Sequence, residues 1–348
     1  MTEGSAADSP KVSIVSTTYN QEAYVRRTFD GVLAQRTDFP VEFVVSDDAS
    51  TDATPAIIRE YAEQHPQLFK PIFRTENVGY KTNLIGAFAA TRGEYIAWCE
   101  GDDYWIDPTK LTKQASYLDQ HPETAVCFHP VRVSWEGGVA EDYEFPPLDW
   151  RFDLSLEWLL RRNFIQNNSV MYRRLARYDD VPAAGACFDY YLHLLHAIHG
   201  GIVMLPDTMA VYRRHPEGMF TDAVVDRRKF WLTHAPGHAA TFDVMIDLFA
   251  DDPDREEILG EQVDRILSEI AGIPGPEGRA VLLQTIAEHP KFAMVALRYR
   301  CAQPRWRRLK NKLSYEVSGF RARAYVNSGQ VIRRIGRGMR REDSYADR

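Results

Sequence analysis

The chain has 348 residues, 45% hydrophobic and 26% charged, the composition of a soluble globular protein long enough for one large or two ordinary domains. No run of about 18 apolar residues occurs, the N-terminal MTEGSAADSP lacks a basic segment followed by an apolar one, and the four cysteines are widely spaced, so a membrane span, an export signal, a zinc site and a disulfide framework are not expected and a reducing cytoplasm is. The net charge of −7 is uneven: from Lys291 to Arg348 about 16 Lys and Arg face about 4 Asp and Glu, roughly +12, leaving about −19 for the rest.

In chain order, the first 130 residues alternate short apolar runs with helical patterns, the sign of βαβ units and an α/β fold with a mostly parallel sheet. KVSIVSTTYN (11–20) reads as a first strand entering a polar turn, and Tyr24, Val25, Thr28, Val32 and Leu33 then recur at helical spacing. VEFVVS (41–46) is a second strand, with Thr54 expected as N-cap and Pro55 as first helical residue of the next helix. KPIFR, NVGYKTNLIGAFAAT and EYIAWC supply a third strand, a loop with its helix, and a fourth strand. Asp107 and Pro108 repeat the cap-plus-proline start, and TAVCFHPVRV adds one or two strands. The stretch 137–153 is irregular, of the kind that often carries binding. Helix at LEWLLRRN, strand at NNSVMYRR, helix at FDYYLHLLHAIHG and strand at GIVMLP follow, and from about 226 the pattern is mainly helical. This divides the chain into 1–10, 11–135, 136–225, 226–303 and a basic tail, 304–348.

The chemistry is expected beyond the carboxyl ends of the strands, where open parallel sheets bind ligands. Four Asp-Asp pairs occur, roughly twice the chance number, but only Asp47-Asp48 and Asp102-Asp103 follow apolar strands. Glu100 joins the second pair. Simple helix capping explains such aspartates equally well except for that third carboxylate. Three acids so close are best stabilised by a hard divalent cation, Mg²⁺ or Mn²⁺, which takes one or two carboxylates plus phosphate oxygens.

Taken together, VSIVSTTYNQEAYV, VVSDDASTDAT, NVGYKTNLIGA and GEYIAWCEGDDYW resemble, in order and spacing, the nucleotide-sugar domain of the family 2 glycosyltransferases, which have a GT-A fold. The resemblance is strong over about 11–135 and looser to about 218. It implies an inverting, metal-dependent transferase using a nucleoside-diphosphate sugar and a glycan or lipid-linked acceptor. Thr17 and Tyr19 would lie beside the base, Tyr19 stacking on it, and Asp48 would accept the imide N–H of uracil or thymine. Asn20, Asn77, Lys81, Asp102 and Arg213 complete the donor side, Arg213 near the diphosphate. Asp103 and Asp102 would hold the metal, with His215 of AVYRRHPEG completing the shell. Asp189 falls at the position of the catalytic base, although Phe188 stands where the family usually has Glu. Glu100 replaces the usual first Asp of the metal motif and has no assigned role.

Other readings stay open at this point. Asp189 also suits a helix N-cap, and His215 an ordinary surface or core histidine. His193, His196 and His199 read as helix filler rather than a metal stripe. A sugar-phosphate nucleotidyltransferase lacks support, since STTYNQEAY has no glycine, and a dehydrogenase would need GxGxxG after the first strand. A non-catalytic scaffold in a polysaccharide assembly complex is the alternative from another class. The tail places Trp306, Leu309, Leu313, Val317 and Phe320 near one helical face among Arg and Lys. Such a segment can lie on an anionic membrane surface, making the protein peripheral, or dock on the acidic body or a neighbouring subunit of a homo-oligomer. Nucleic acid is not an expected partner, because the acidic body repels phosphate.

Overall fold

The computed structural model describes residues 9–138, 140–183, 185–215 and 226–303. The basic tail therefore lies outside the described residues. The chain forms two compact units, the first holding the stretches to Val133, Tyr143–Ala184 and Phe188–Arg213, the second Ser134–Asp142, Gly185–Cys187 and the chain from Arg214.

The first unit is built on a seven-stranded sheet of β1 (Val12–Thr18), β2 (Val41–Asp47), β3 (Phe69–Phe73), β4 (Tyr95–Trp98), β6 (Thr124–Phe128), β9 (Met171–Arg173) and β10 (Gly201–Met204). Their order is β10-β6-β9-β4-β1-β2-β3. Pairing is parallel except for β9, which runs antiparallel to both neighbours. The strands β9 and β10, which follow residue 135, lie in the same sheet as β1 to β4 and β6. Every residue of β1 is buried, as befits a central parallel strand covered on both faces. A smaller sheet, ordered β5-β11-β7-β8, comprises β5 (Tyr104–Trp105), β7 (Val131–Trp135), β8 (Tyr143–Phe145) and β11 (Ala210–Arg214). Both β5 and β8 are too short for periodicity to reveal.

Six helices accompany these strands: α1 (Val25–Leu33), α2 (Thr54–Gln64), α3 (Tyr80–Ala89), α4 (Lys110–Gln120), α5 (Leu156–Arg161) and α6 (Phe188–Ala197). Phe29 of α1 meets Phe43, Tyr61 and Phe69 edge-on, with ring centroids 5.6, 5.1 and 5.3 Å apart. Burying each such ring contributes about 1.5–3 kcal/mol, which makes Phe29 the main anchor of α1, although its place in the buried stripe was not singled out by spacing.

Two expected caps are corrected. The N-cap of α2 is Ala53, and Thr54 is already helical because its hydroxyl instead accepts the Gln21 N–H at 2.8 Å. The N-cap of α4 is Thr109, whose N–H and hydroxyl both donate to Asp107 Oδ1 at 2.7 and 2.6 Å, so Asp107 forms the turn before the helix.

The second unit is helical: α7 (Arg227–Leu248), α8 (Pro253–Ala271), α9 (Pro276–Glu288) and α10 (Pro290–Ala302). Here the aspartate caps form, with Asp226 accepting from Lys229 N and Asp252 from Arg255 N. Among the described residues no helix is long and apolar enough to cross a membrane.

Candidate active site

From β1 the chain steps outward through β2 to β3 and then returns to the other side of β1 for β4. That reversal leaves a crevice beyond the carboxyl ends of β1 and β4, where an open α/β sheet binds its ligand. The turns after β1, β2 and β4 all end there.

Near the end of β1, Thr17 is buried and donates its hydroxyl to Glu100 Oε2 at 2.5 Å, while Tyr19, just past the strand, is 48% exposed. Asn20 takes a left-handed backbone (φ 51°), a conformation asparagine tolerates, and its Oδ1 accepts the Thr51 N–H at 2.8 Å. It braces the first turn against the second. After β2, Asp47 accepts from Ser50 N (3.0 Å), Ser50 Oγ (2.5 Å) and Thr18 Oγ1 (3.0 Å). Asp48 is buried and its Oδ1 accepts the Val78 N–H at 2.8 Å, tying the β2 turn to the loop before α3. In that loop Asn77 is exposed and caps Gly79 N at 3.1 Å; Lys81 is half-buried on the first turn of α3.

The turn after β4 concentrates negative charge. Glu100 accepts from three neutral donors: Thr17, the Tyr80 hydroxyl at 2.8 Å and the Trp98 indole N–H at 3.0 Å. Burial, assisted by the Asp102 charge, still pushes its carboxyl up to about 7. Asp102 is half-buried, whereas Asp103 is buried and accepts the Arg213 N–H at 2.9 Å. Burial first, and the Asp102 charge second, hold the Asp103 carboxyl well above the usual range. The Arg213 guanidinium is buried over the rings of Tyr24 and Tyr104, 4.9 and 5.2 Å from their centroids. So it is the Arg213 backbone that meets Asp103, while the side chain stacks on aromatics.

Asp189 lies in the first turn of α6, half-buried, with Asn163 Nδ2 3.4 Å from its Oδ2. Burial raises its carboxyl above the usual value, opposed by the N–H groups of Tyr190 and of Asp189 itself at the helix start. Tyr80 connects this acid electrostatically to the β4 turn: its phenol, pushed well up by burial, is raised further by Glu100, Asp189 and Asp102. His215 is buried and belongs to the second unit. Among the described residues no three His, Cys, Asp or Glu side chains gather as a metal-holding set. The donor set at Asp102 and Asp103 fits a hard cation: two adjacent carboxylates, of which Asp103 is buried and accepts one backbone N–H among the described residues.

Sequence reasoning missed Tyr80, Asn163 and the work of Glu100. All three act through tertiary hydrogen bonds, which periodicity does not encode. Of the three histidines, His193 and His196 are core residues, with His193 Nδ1 2.5 Å from the Tyr172 hydroxyl, His196 stacked on the Tyr172 ring at 3.9 Å and burial pushing both down to about 3, whereas His199 is exposed beyond the end of α6.

Against known proteins, residues 13–216, more than half of the chain, match the family described as Glycosyl transferase family 2. The chain belongs to glycosyl transferase family 2. It is therefore a glycosyltransferase with the GT-A fold that its sheet order displays. Uncharacterised proteins of Mycobacterium tuberculosis and Mycobacterium bovis are 56% identical over 321 residues, 92% of this chain and 92% of theirs. An uncharacterised glycosyltransferase of Nostoc sp. is 35% identical over 119 residues, 34% of this chain and 36% of its own. The S. aureus TarS fragment 1–349 in complex with UDP-GlcNAc superposes with a TM-score of 0.51 at 18% identity, over 85% of this chain and 93% of that one. The mannosyltransferase PcManGT of Pyrobaculum calidifontis, in complex with GDP-Man and Mn²⁺, gives 0.53 at 19% identity, over 85% and 88%. At such identities these two structures speak to the fold.

Proposed function

We propose that this glycosyltransferase moves a sugar, with inversion, from a UDP- or dTDP-linked donor to a hydroxyl of a glycan or lipid-linked acceptor in the synthesis of cell-surface polysaccharide or glycoconjugate. The observation that carries the reading is the pair of carboxylate environments within one unit: Asp102-Asp103 at the sheet's reversal point, and Asp189 heading α6 with a raised carboxyl.

On the donor side, the exposed Tyr19 ring offers a stacking face for the base, and Asp48 a buried acceptor for an imide N–H. That chemistry favours uracil or thymine, in keeping with UDP-GlcNAc bound by TarS, whereas PcManGT binds GDP-Man. Asn20 and Asn77 shape the turns that flank the base, and Lys81 and Arg213 supply positive charge for the diphosphate. Asp103 and Asp102 would hold Mn²⁺ or Mg²⁺, which when bound neutralises charge developing on the leaving diphosphate. Asp189 takes the proton of the acceptor hydroxyl, whose oxygen attacks the anomeric carbon from the face opposite the departing diphosphate. Configuration inverts because no second displacement intervenes. The basic tail, by its sequence, would hold the enzyme at an anionic membrane beside a lipid-linked acceptor.

The test is Asp189→Asn. UDP and UDP-GlcNAc binding by calorimetry should remain within about threefold, while transfer falls on the order of 10³-fold, the scale of losing a general base and its charge. Transfer retained at the wild-type rate removes Asp189 from the scheme.

A further inference from the structure

Asn163 stands in the segment joining α5 to β9, and its amide is oriented by two contacts. Its Oδ1 accepts the Ile165 N–H at 3.2 Å, so the Nδ2 end is the one turned to Asp189 Oδ2, 3.4 Å away. A side-chain amide has one accepting and one donating end, and the backbone bond decides which faces the acid. An N–H donor beside a carboxyl favours its charged form. We propose that Asn163 is a positioning residue for sugar transfer, its amide holding the Asp189 carboxylate in orientation and in the form that accepts a proton.

The inference rests on the reading of Asp189 as the base. Burial works against that base, because a carboxyl removed from water binds its proton more tightly. The N–H groups of Asp189, Tyr190 and Asn163 oppose burial. The phenols of Tyr80, from α3, and Tyr172, from β9, stay protonated, each raised by burial and by the Asp189 charge. Glu100 and Asp102 reach Tyr80, and His193, one turn along α6, is neutral because burial pushes it down to about 3. Asn163 is thus the side-chain donor to Asp189 in this set.

The experiment is a carboxyl titration of the full chain by ¹³C NMR with labelled aspartate, the Asp189 signal being identified by its loss in Asp189→Asn. Asn163→Ala removes the donor. Asn163→Asp keeps the shape and the acceptor for Ile165 N–H but turns a carboxylate oxygen toward Asp189, so it reports even if the alanine variant is unstable. The Asp189 midpoint should rise by about one unit in Asn163→Ala and further in Asn163→Asp, as expected for a lost donor and an added like charge. Midpoints unchanged from wild type overturn the proposal. Because the titration needs no turnover, it fails or succeeds independently of whether Asp189→Asn abolishes transfer of N-acetylglucosamine from UDP-GlcNAc.

Discussion

Two aspartate pairs end the two strands that flank β1, one after β2 and one after β4, and they have opposite electrostatic settings. Asp47 is met by three donors and Asp48 by the Val78 N–H, so the β2 pair is spent on holding turns and presenting one acceptor. Among the described residues Asp103 is buried against one donor, the Arg213 N–H, with Asp102 beside it and Glu100 two residues before that. A hydrogen bond to a charged group contributes about 1.5–3 kcal/mol, and burying a carboxylate costs several kcal/mol. Three donors therefore offset the cost at Asp47, while one leaves a deficit at Asp103 that a proton or a cation must cover. The same dipeptide in the same place on the two strands that flank β1 becomes a brace in one case and a cation-seeking site in the other.

The largest effect that would break this contrast is expected from Asp103→Asn. Without the buried carboxylate, transfer should fall on the order of 10³-fold, equivalent to about 4 kcal/mol of lost charge stabilisation at the leaving diphosphate. Stability should move the other way. The Asp103 carboxyl is raised in the folded protein, so the folded state holds a proton that the unfolded chain releases near pH 4. Metal-free stability from this group is full below about pH 4 and is lost as pH climbs toward the raised folded value. Urea denaturation with EDTA, from pH 4 to 8, should show that decline in the wild type and a flatter curve in Asp103→Asn. Adding Mn²⁺ should restore wild-type stability at pH 8 and leave the variant unmoved. Equal metal stabilisation of both proteins would erase the distinction between the pairs.

Asp48→Asn tests the other pair as a recognition element. Replacing a charged acceptor with an amide should weaken UDP binding about 10- to 100-fold, the 1.5–3 kcal/mol of a hydrogen bond to a charged group. Mn²⁺ stabilisation should be unaffected. A loss of metal response in this variant would show the two pairs to be one site.

How much of this was legible beforehand divides along the same line. Continuous apolar runs announced β1, β2 and β4, and the βαβ alternation announced a parallel sheet, whereas the strand order with its reversal at β1 came only from the structure. Asp48, Asp102 and Asp103 stood out among the letters as acidic pairs after apolar strands, whereas Asp189 was singled out only by the family resemblance. What the letters did not carry is who donates to whom. Glu100 had no role in sequence, yet it gathers Thr17, Tyr80 and Trp98 from β1, α3 and β4. Thr54 looked like a cap because its type and the following proline fit, but a long-range bond from Gln21 N–H claimed its hydroxyl. The stacking of Arg213 on Tyr24 and Tyr104 depends on β5 and β11 pairing, a two-residue contact that no periodicity foretells.

The smallest effect sharpens the brace side of the comparison. Asp47 lies on the same strand end as Asp48, but its oxygens are directed into the turn, toward Ser50 and Thr18, and Ala49, which follows the two acids, is held in a left-handed backbone of φ 59°. A non-glycine residue there costs roughly 1–2 kcal/mol, so the turn persists only while the bonds around it exceed that cost. Asp47→Ala removes all three and leaves Ala49 strained. The loss should be about 2 kcal/mol in urea denaturation, with UDP affinity reduced only as far as the relaxed turn lets Asp48 leave the Val78 N–H. Combining Asp47→Ala with Ala49→Gly should recover part of that stability, because glycine adopts the left-handed conformation without the Cβ clash. If Asp47→Ala instead abolishes Mn²⁺ stabilisation while the fold stays as stable as wild type, the β2 acid is a metal residue rather than a brace.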